Sequence, residues 1–290
     1  MSDFADFKRK SRSSSNLDEL SKKIQATSEK KSYKDDRFWR PELDKASNGY
    51  AVIRFLPAPP NEDLPWAKLY THGFQAKGGW FIENSRTTFG EKDPVSEMNS
   101  ELWNSGTEAD KDIARARKRK LQYISNILVI SDPANPQNEG KIFLYKFGKK
   151  IFDKIQEAME PEFADEKAVN PFELWDGANF KLKVRKISGF INYDKSEFDS
   201  PSALFDGDDT QLEELWKKQY SLTAFTDPSN FKSYDELKQR LMDVVGDDIR
   251  SNDGTSAPTI QETSDTLESK SESVAEETDA LDYFERLAKD

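Results

Sequence analysis

The residues from Arg115 to Lys120 include five cations among six positions, and Tyr123 follows them at the start of an apolar run. The whole chain carries a net charge of −11, so this concentration of positive charge stands against the overall balance. Cations that neutralise phosphates and flat rings on which bases stack are what the binding of a single-stranded nucleic acid requires. The stretch 115–123 is therefore a candidate nucleic-acid contact.

The same mixture of cations and aromatic rings occurs in two further segments. They contain Tyr145, Lys146, Lys149 and Lys150, and then Lys181, Lys183, Arg185, Lys186, Phe190 and Tyr193. Any one such segment is more typical of solvated charges beside core aromatics. Three of them beside predicted strands favour a binding surface for single-stranded nucleic acid.

Catalytic chemistry has little support in the sequence. His72 is the only histidine, and a lone histidine is most often structural or simply exposed. No Ser/His/Asp or Cys/His set can be assembled, and the Gly-Lys-Lys at 148–150 lacks the glycine spacing of a phosphate-binding loop. The acidic residues form no tight cluster within an apolar motif, as a two-metal site would need. We expect a binding protein and not an enzyme.

Composition limits the class of protein further. The absence of cysteine excludes disulfides and thiolate metal sites and fits a reducing cytoplasm. An aromatic content of 12% indicates a real core in spite of a charged content of 33%. No apolar run approaches the roughly 20 residues that span a bilayer, and residues 1–10 lack the apolar segment of a secretory signal. We therefore expect a soluble intracellular protein.

Composition also divides the chain into three regions. Residues 1–35 are basic and Ser-rich, and Asn16 is a plausible N-cap for a short helix that carries Leu17, Leu20 and Ile24. Residues 246–290 are rich in Ser, Thr, Asp and Glu, which predicts disorder. That tail closes on an amphipathic segment that we expect to bind partners. Its apolar residues are Leu281, Tyr283, Phe284 and Leu287.

The middle region, 36–245, carries almost all the aromatic residues and is predicted to be the folded core. Strands are indicated by GYAVIRFLP, PWAKLYTHGF, GGWFIEN, YISNILVISD, KIFLYKFG and ANFKLKVRKISGF. In the last of these Phe180, Leu182 and Val184 alternate with cations, as in a strand with one buried face. Helices fit 149–159, 211–219 and 233–245. We predict an α+β chain with a mostly β core, arranged as an OB-fold-like Greek-key barrel with insertions and peripheral helices, flanked by flexible tails.

Several long motifs resemble, in order, a known family. They are FKRKS, NGYAVIRFLP, HGF with GGWFIE, KRK with NILV, DPANPQNEGKIFLYKFGKKIFDKI, PFELWDGANFKLKV and SGFINYDKSEF. They are similar to the single-stranded DNA-binding, helix-destabilising proteins of T-even-type bacteriophages, over about residues 4–245. The resemblance implies an OB-fold core that coats single-stranded DNA cooperatively with little sequence preference. It also implies roles in phage DNA replication, recombination and repair within the cytoplasm of the infected host.

The resemblance implies a set of site residues as well. With Arg115 and Arg117 added from the basic stretch, the predicted DNA-binding residues are Arg54, Trp103, Arg115, Arg117, Lys118, Arg119, Lys120, Tyr123, Tyr145, Lys146, Phe190 and Tyr193. Trp103 stands where the family has a tyrosine. The predicted self-association motif is Lys8, Arg9, Lys10 and Ser11. The family repeats this motif inside the core, but here Leu121 and Gln122 follow the internal Lys-Arg-Lys in place of a hydroxyl pair. The partners implied are single-stranded DNA, further copies of the chain, and phage replication, recombination and repair proteins bound by the acidic tail.

The sequence differs from the family at the residues that hold the family's structural zinc. One histidine and three cysteines hold that zinc, and His72 matches the histidine. The cysteine positions fall on or near Ser85, Val95 and Met98, which supply no thiolate. We therefore expect no metal and no other cofactor. We expect the subdomain at 72–105 to be held instead by Trp80, Phe81, Phe89 and Trp103.

Two other functions are compatible with the same residues. An acidic scaffold protein could use its basic segments to bind its own tails. A regulator could bind single-stranded RNA on the same surface, because rings and cations serve both nucleic acids.

Overall fold

A computed structural model describes residues 35–163 and 165–246 of this chain. From Arg37 onward these residues belong to one compact unit. The predicted N-terminal helix, the motif at Lys8–Ser11 and the acidic tail lie outside the described residues, so their predictions stay untested.

The described part combines nine strands with five α-helices and several short 3-10 turns. The strands are β1 Phe38–Trp39, β2 Gly49–Phe55, β3 Ala67–Ala76, β4 Gly79–Asn84, β5 Lys120–Ser131, β6 Ile142–Phe147, β7 Ala178–Ile187, β8 Phe190–Asn192 and β9 Glu197–Pro201. The helices are α1 Pro94–Asn104, α2 Glu108–Ala116, α3 Lys149–Met159, α4 Asp209–Lys217 and α5 Tyr234–Val245.

The strands pair in the order β1-β6-β5-β2-β7-β8, with β3 beside β5, β4 beside β3, and β9 beside β7. All of these pairs are antiparallel except β1 with β6. The prediction of a mixed α+β chain with a mostly β core is confirmed. The pairings do not close the sheet into a barrel, so the OB-type Greek-key assignment stays a prediction.

The main core lies against β2, β5, β6 and β7. In β7, Phe180, Leu182 and Val184 are buried while the residues between them are partly exposed, as the alternation predicted. Phe55 is fully buried and contacts the rings of Tyr145, Phe147, Phe172, Phe180 and Phe198. Aromatic rings therefore supply much of the packing that holds the sheet to its surroundings.

A second, smaller core forms where the β3–β4 hairpin meets α1 and α5. Its buried residues are Phe74, Phe81, Val95, Met98, Leu237, Leu241, Val244 and Val245. The turn of the hairpin touches the end of α5, where Gly78 N donates to Val244 O at 2.7 Å. A Cβ at Gly78 would lie 2.3 Å from Asp243 O, so this close approach requires glycine.

Most elements agree with the sequence, but several were not predicted. The six predicted strand segments appear, and the helix 149–159 has the predicted bounds, whereas α4 begins two residues earlier than expected. Helices α1 and α2 and strands β1, β8 and β9 were not predicted. No helix among the described residues is long and apolar enough to cross a membrane.

Candidate nucleic-acid interface

Three arginines of the basic stretch each lie over an aromatic ring. The distances from the guanidinium carbon to the ring centroid are 5.3 Å for Arg115 and Trp103, 5.5 Å for Arg117 and Phe74, and 4.4 Å for Arg119 and Tyr70. The rings belong to α1 and β3, and the arginines belong to the end of α2 and the short segment that leads into β5. These contacts hold the basic stretch against the β3–β4 subdomain, since a cation is attracted to a ring face.

The charges of these arginines are compensated differently. Arg115 is paired with Asp112 and, at 3.6 Å, with Glu108. Arg117 is half-buried beside the sulfur of Met98, and burial lowers its pKa. Like Arg117, Arg119 has no carboxylate partner within 35–163 and 165–246, so both charges are less compensated than that of Arg115. Lys118 and Lys120 each have an interaction partner.

Three of the four tyrosine and phenylalanine rings predicted to stack on bases lie in the core. Tyr123, Tyr145 and Tyr193 are 6%, 4% and 7% exposed. The Tyr123 ring is parallel to Phe152 of α3, with centroids 3.9 Å apart, so this face of the ring is covered. Burial, with smaller contributions from Tyr70 and Asp153, raises the pKa of Tyr123.

Two other rings predicted to contact DNA, Phe190 and Trp103, are accessible to solvent. Phe190 is 43% exposed at the start of β8, directly after a turn in which Ser188 and Gly189 have positive φ. Trp103 is 47% exposed beneath Arg115. Lys146 lies over Phe38 with its ammonium 5.3 Å from the ring centroid. Phe190 and Trp103 are the predicted rings that could accept a base without rearrangement.

Arg54 occupies an interior position that the sequence did not predict. Its side chain is fully buried and donates to Asn179 Oδ1 at 2.9 Å, Ser202 O at 2.8 Å and Glu173 O at 3.3 Å. Burial lowers the pKa of Arg54 to about 10, while nearby Glu173 acts to raise it. A contact between Arg54 and DNA would therefore require the guanidinium to leave these partners.

Three of the four cations of β7 have acidic partners. Lys181 Nζ lies 2.8 Å from Asp199, Lys183 Nζ lies 2.7 Å from Glu197, and Arg185 Nε donates to Asp194 at 2.9 Å. The hydrogen bond that Lys181 donates to Asp199 is the main reason that the pKa of Lys181 is raised. The net charge of this face of β7 is therefore close to zero, although the sequence suggested a basic surface.

The place where the family would hold zinc contains a buried hydrogen-bond network. His72 Nε2 lies 2.9 Å from Asp93 Oδ1, and Ser85 Oγ donates to Asp93 Oδ2 at 2.9 Å. Asp93 also caps α1 by accepting from the amides of Val95 and Ser96. Val95 and Met98, which the resemblance places at or near two cysteine positions of the family, are buried in the small apolar core. These residues do not fit a zinc ion, because a single imidazole and no thiolate face this point.

The aromatic rings expected to stabilise this subdomain differ in burial. Phe81 is fully buried and stacks on Phe74 with centroids 5.1 Å apart. Phe89 and Trp103 are 39% and 47% exposed, so they are not core residues, although Phe89 contacts the ring of Phe231. These two rings make contacts at the edge of the subdomain, and its core is filled instead by apolar residues of β3, β4, α1 and α5.

Tyr70 and Lys68 belong to this surface and were missed by the sequence analysis. Both lie on β3, where they face β5 beside Leu121 and Tyr123. The ammonium of Lys68 is 5.6 Å from the centroid of the Tyr70 ring, over which Arg119 also lies. The signal was present in KLYTH, because residues two apart share a strand face.

Comparison with known proteins identifies the family. Residues 47–245 match the family described as gp32 DNA binding protein like. The chain is 43% identical over 223 residues to a single-stranded DNA-binding protein of Enterobacteria phage T2, covering 74% of this chain and 72% of that protein. It is 39% identical over 269 residues to the single-stranded DNA-binding protein of Enterobacteria phage T4, covering 89% of this chain and 84% of that protein. The chain therefore belongs to the gp32-like family of DNA-binding proteins.

Proposed function

We propose that this chain binds single-stranded DNA without strong sequence preference and has no enzymatic role. The observation that carries the proposal is the row of arginines 115, 117 and 119 lying over rings at the junction of α2, β3 and β5. Guanidinium groups beside aromatic rings match a strand that presents phosphates and unpaired bases together. The similarity to phage single-stranded DNA-binding proteins supports the same conclusion.

The proposal extends to cooperative coating of DNA during phage replication, recombination and repair. Lys8, Arg9, Lys10 and Ser11 would contact the neighbouring copy on the strand, and Leu281, Tyr283, Phe284 and Leu287 would bind other replication proteins. The resemblance of the basic N-terminal motif and the composition of the tail support these assignments. An OB-type barrel is the corresponding fold proposal, supported by the antiparallel ladder of β2, β5 and β6.

Equilibrium titration tests the proposal against its rivals. Anisotropy of labelled oligo-dT, oligo-U and duplex DNA is measured with the full chain at several salt concentrations. We expect oligo-dT to bind most tightly and duplex DNA most weakly. Preference for oligo-U would favour an RNA-binding regulator. Failure to bind any of the three would favour the acidic scaffold.

A further inference from the structure

The Tyr70 ring has two cations over it and lies on the surface of the β3–β5 ribbon. The Arg119 guanidinium is 4.4 Å and the Lys68 ammonium 5.6 Å from its centroid. The ring is half-buried, whereas Lys68 is exposed. This is the one ring in the described residues for which two such cations are found.

The backbone holds Tyr70 firmly in position. Its amide donates to Thr88 Oγ1 at 3.0 Å, and its carbonyl accepts from the amide of Ser85 at 2.8 Å. On the other side it is opposite Leu121 in the ladder with β5, while Lys68 is opposite Tyr123. A strand that is bonded on both sides keeps the backbone under the ring in place when a ligand arrives, so little backbone order has to be gained on binding.

The two cations over Tyr70 differ from most others near the strands. Neither Lys68 nor Arg119 has a carboxylate partner in the described part of the chain, whereas Arg115, Lys181, Lys183 and Arg185 all do. A ring attracts a cation without cancelling its charge. A phosphate can therefore approach Lys68 or Arg119 without first displacing an acidic side chain.

We propose that Tyr70 stacks on a base of single-stranded DNA and that Lys68 and Arg119 bind the phosphates on either side of that nucleotide. The assignment rests on the proposed function and names a contact within it. The neighbouring Tyr123 is packed against Phe152, which leaves Tyr70 as the more accessible tyrosine of the pair. Arg119 would move from the ring towards a phosphate as the base takes its place.

Titration of a short oligo-dT, of about eight nucleotides to limit binding by more than one copy, tests the assignment. Tyr70→Leu should weaken binding about tenfold, since the loss of one stacked base has roughly that effect. It should leave the slope of log K against log salt unchanged. Lys68→Gln and Arg119→Gln should each reduce the magnitude of that slope by about 0.7, the value for one phosphate contact on a single strand.

Tyr50→Leu is the matched control. Tyr50 is an exposed tyrosine on β2 opposite Lys183, and that lysine is already paired with Glu197. We expect this variant to bind as the wild type does. Tyr70→Phe keeps the ring and should also bind normally. Normal binding by this variant would attribute the weaker binding of folded Tyr70→Leu to the missing ring.

The outcomes separate the two levels of the proposal. If the wild type binds and folded Tyr70→Leu binds equally well, the assignment of Tyr70 is overturned while the proposed function stands. Equal weakening by Tyr50→Leu, or unchanged salt slopes for both cation variants, would overturn it as well. A wild type that binds no oligo-dT would overturn the proposed function and the assignment together.

Discussion

His72 and Asp93 form a buried pair, with Nε2 and Oδ1 separated by 2.9 Å and both side chains fully shielded from solvent. The pair joins β3 to the first turn of α1, and Ser85 and the amide of Arg86 bind the second carboxylate oxygen. Asp93 thus accepts hydrogen bonds on both oxygens from three separate segments. The network therefore connects β3, the segment at 85–86 and the start of α1.

The first prediction concerns the acid stability of this network. Burial acts to raise the pKa of Asp93, but the hydrogen bond and charge of His72, with the Ser96 amide and Ser85, lower it to about 2. Because the folded pKa lies below the ordinary value of 3.8, the stabilisation is complete above pH 4 and is lost as the pH falls towards 2. Its size is about 2 kcal/mol. Urea unfolding between pH 6 and pH 2.5 measures it.

Asp93→Asn is the control for that experiment, since it keeps an acceptor for the amides of α1 but cannot ionise. We expect this variant to be less stable than the wild type at pH 6 and to lose less stability on acidification. The same acid dependence in both proteins would show that other carboxylates cause it.

The second prediction is that the purified chain contains no zinc. Its motivation is the residue set itself, since Ser85, Val95 and Met98 offer no thiolate where a tetrahedral zinc site needs sulfur or nitrogen donors. Elemental analysis after purification without chelators should give far less than one zinc per chain, and EDTA should leave the melting temperature unchanged. One equivalent of zinc would contradict the prediction.

The third prediction separates exposed from buried rings. Phe190→Ala should weaken oligo-dT binding by about 1–3 kcal/mol, as loss of a stacked base does, with little change in unfolding. Tyr145→Ala should lower the free energy of unfolding by about 3–5 kcal/mol, since it empties a position packed against Trp39 and Phe55. Urea unfolding and titration of each variant give both quantities. Normal binding by Phe190→Ala would remove Phe190 from the site.

The fourth prediction concerns contacts between neighbouring copies. Removal of residues 1–20, which contain Lys8, Arg9, Lys10 and Ser11, should abolish cooperative binding to long strands, since it removes a basic segment that we expect to contact the next copy. Affinity for an oligonucleotide that holds a single copy should survive. Titrations with long and short strands at equal salt give both values. Unchanged cooperativity would contradict the proposal, and substitution of the same three cations by Gln provides a milder variant.

The fifth prediction concerns the acidic tail. Most of the net charge of −11 lies after Val245, so a tethered polyanion has a high effective concentration near the basic stretch. Truncation after about residue 253 should raise affinity for DNA at low salt and lower the melting temperature of duplex DNA further than the intact chain does. The difference should narrow as salt screens the attraction. Equal binding by both proteins at all salt concentrations would leave the tail a partner-binding segment only.

The strands could be predicted because their signals are local. Alternation in β7 and the apolar run of β5 reflect burial on one face or on both, which neighbouring residues reveal. Helix α1 was missed, although Asp93 followed by Pro94 is a typical N-cap with proline in the first turn. Its apolar residues serve a small core completed by α5, more than a hundred residues later.

The site was less predictable, since exposure depends on distant partners. Arg54 stands between Ile53 and Phe55 in a strand that is buried on both faces, and its partners Glu173, Asn179 and Ser202 are 119–148 residues away. Composition indicated that rings and cations occur together. It could not show that Phe152 covers Tyr123, nor that acidic side chains already pair with the cations of β7.

The ion pairs along β7 and β9 have a consequence for the route that a bound strand can take. A phosphate that approaches Lys181 or Lys183 also approaches the carboxylate of Asp199 or Glu197. The attraction to the cation is therefore offset by repulsion from the carboxylate. This row of ion pairs therefore attracts a polyanion only weakly. We therefore expect a bound strand to avoid the flank of the sheet where the acidic residues of β9 pair with the cations of β7.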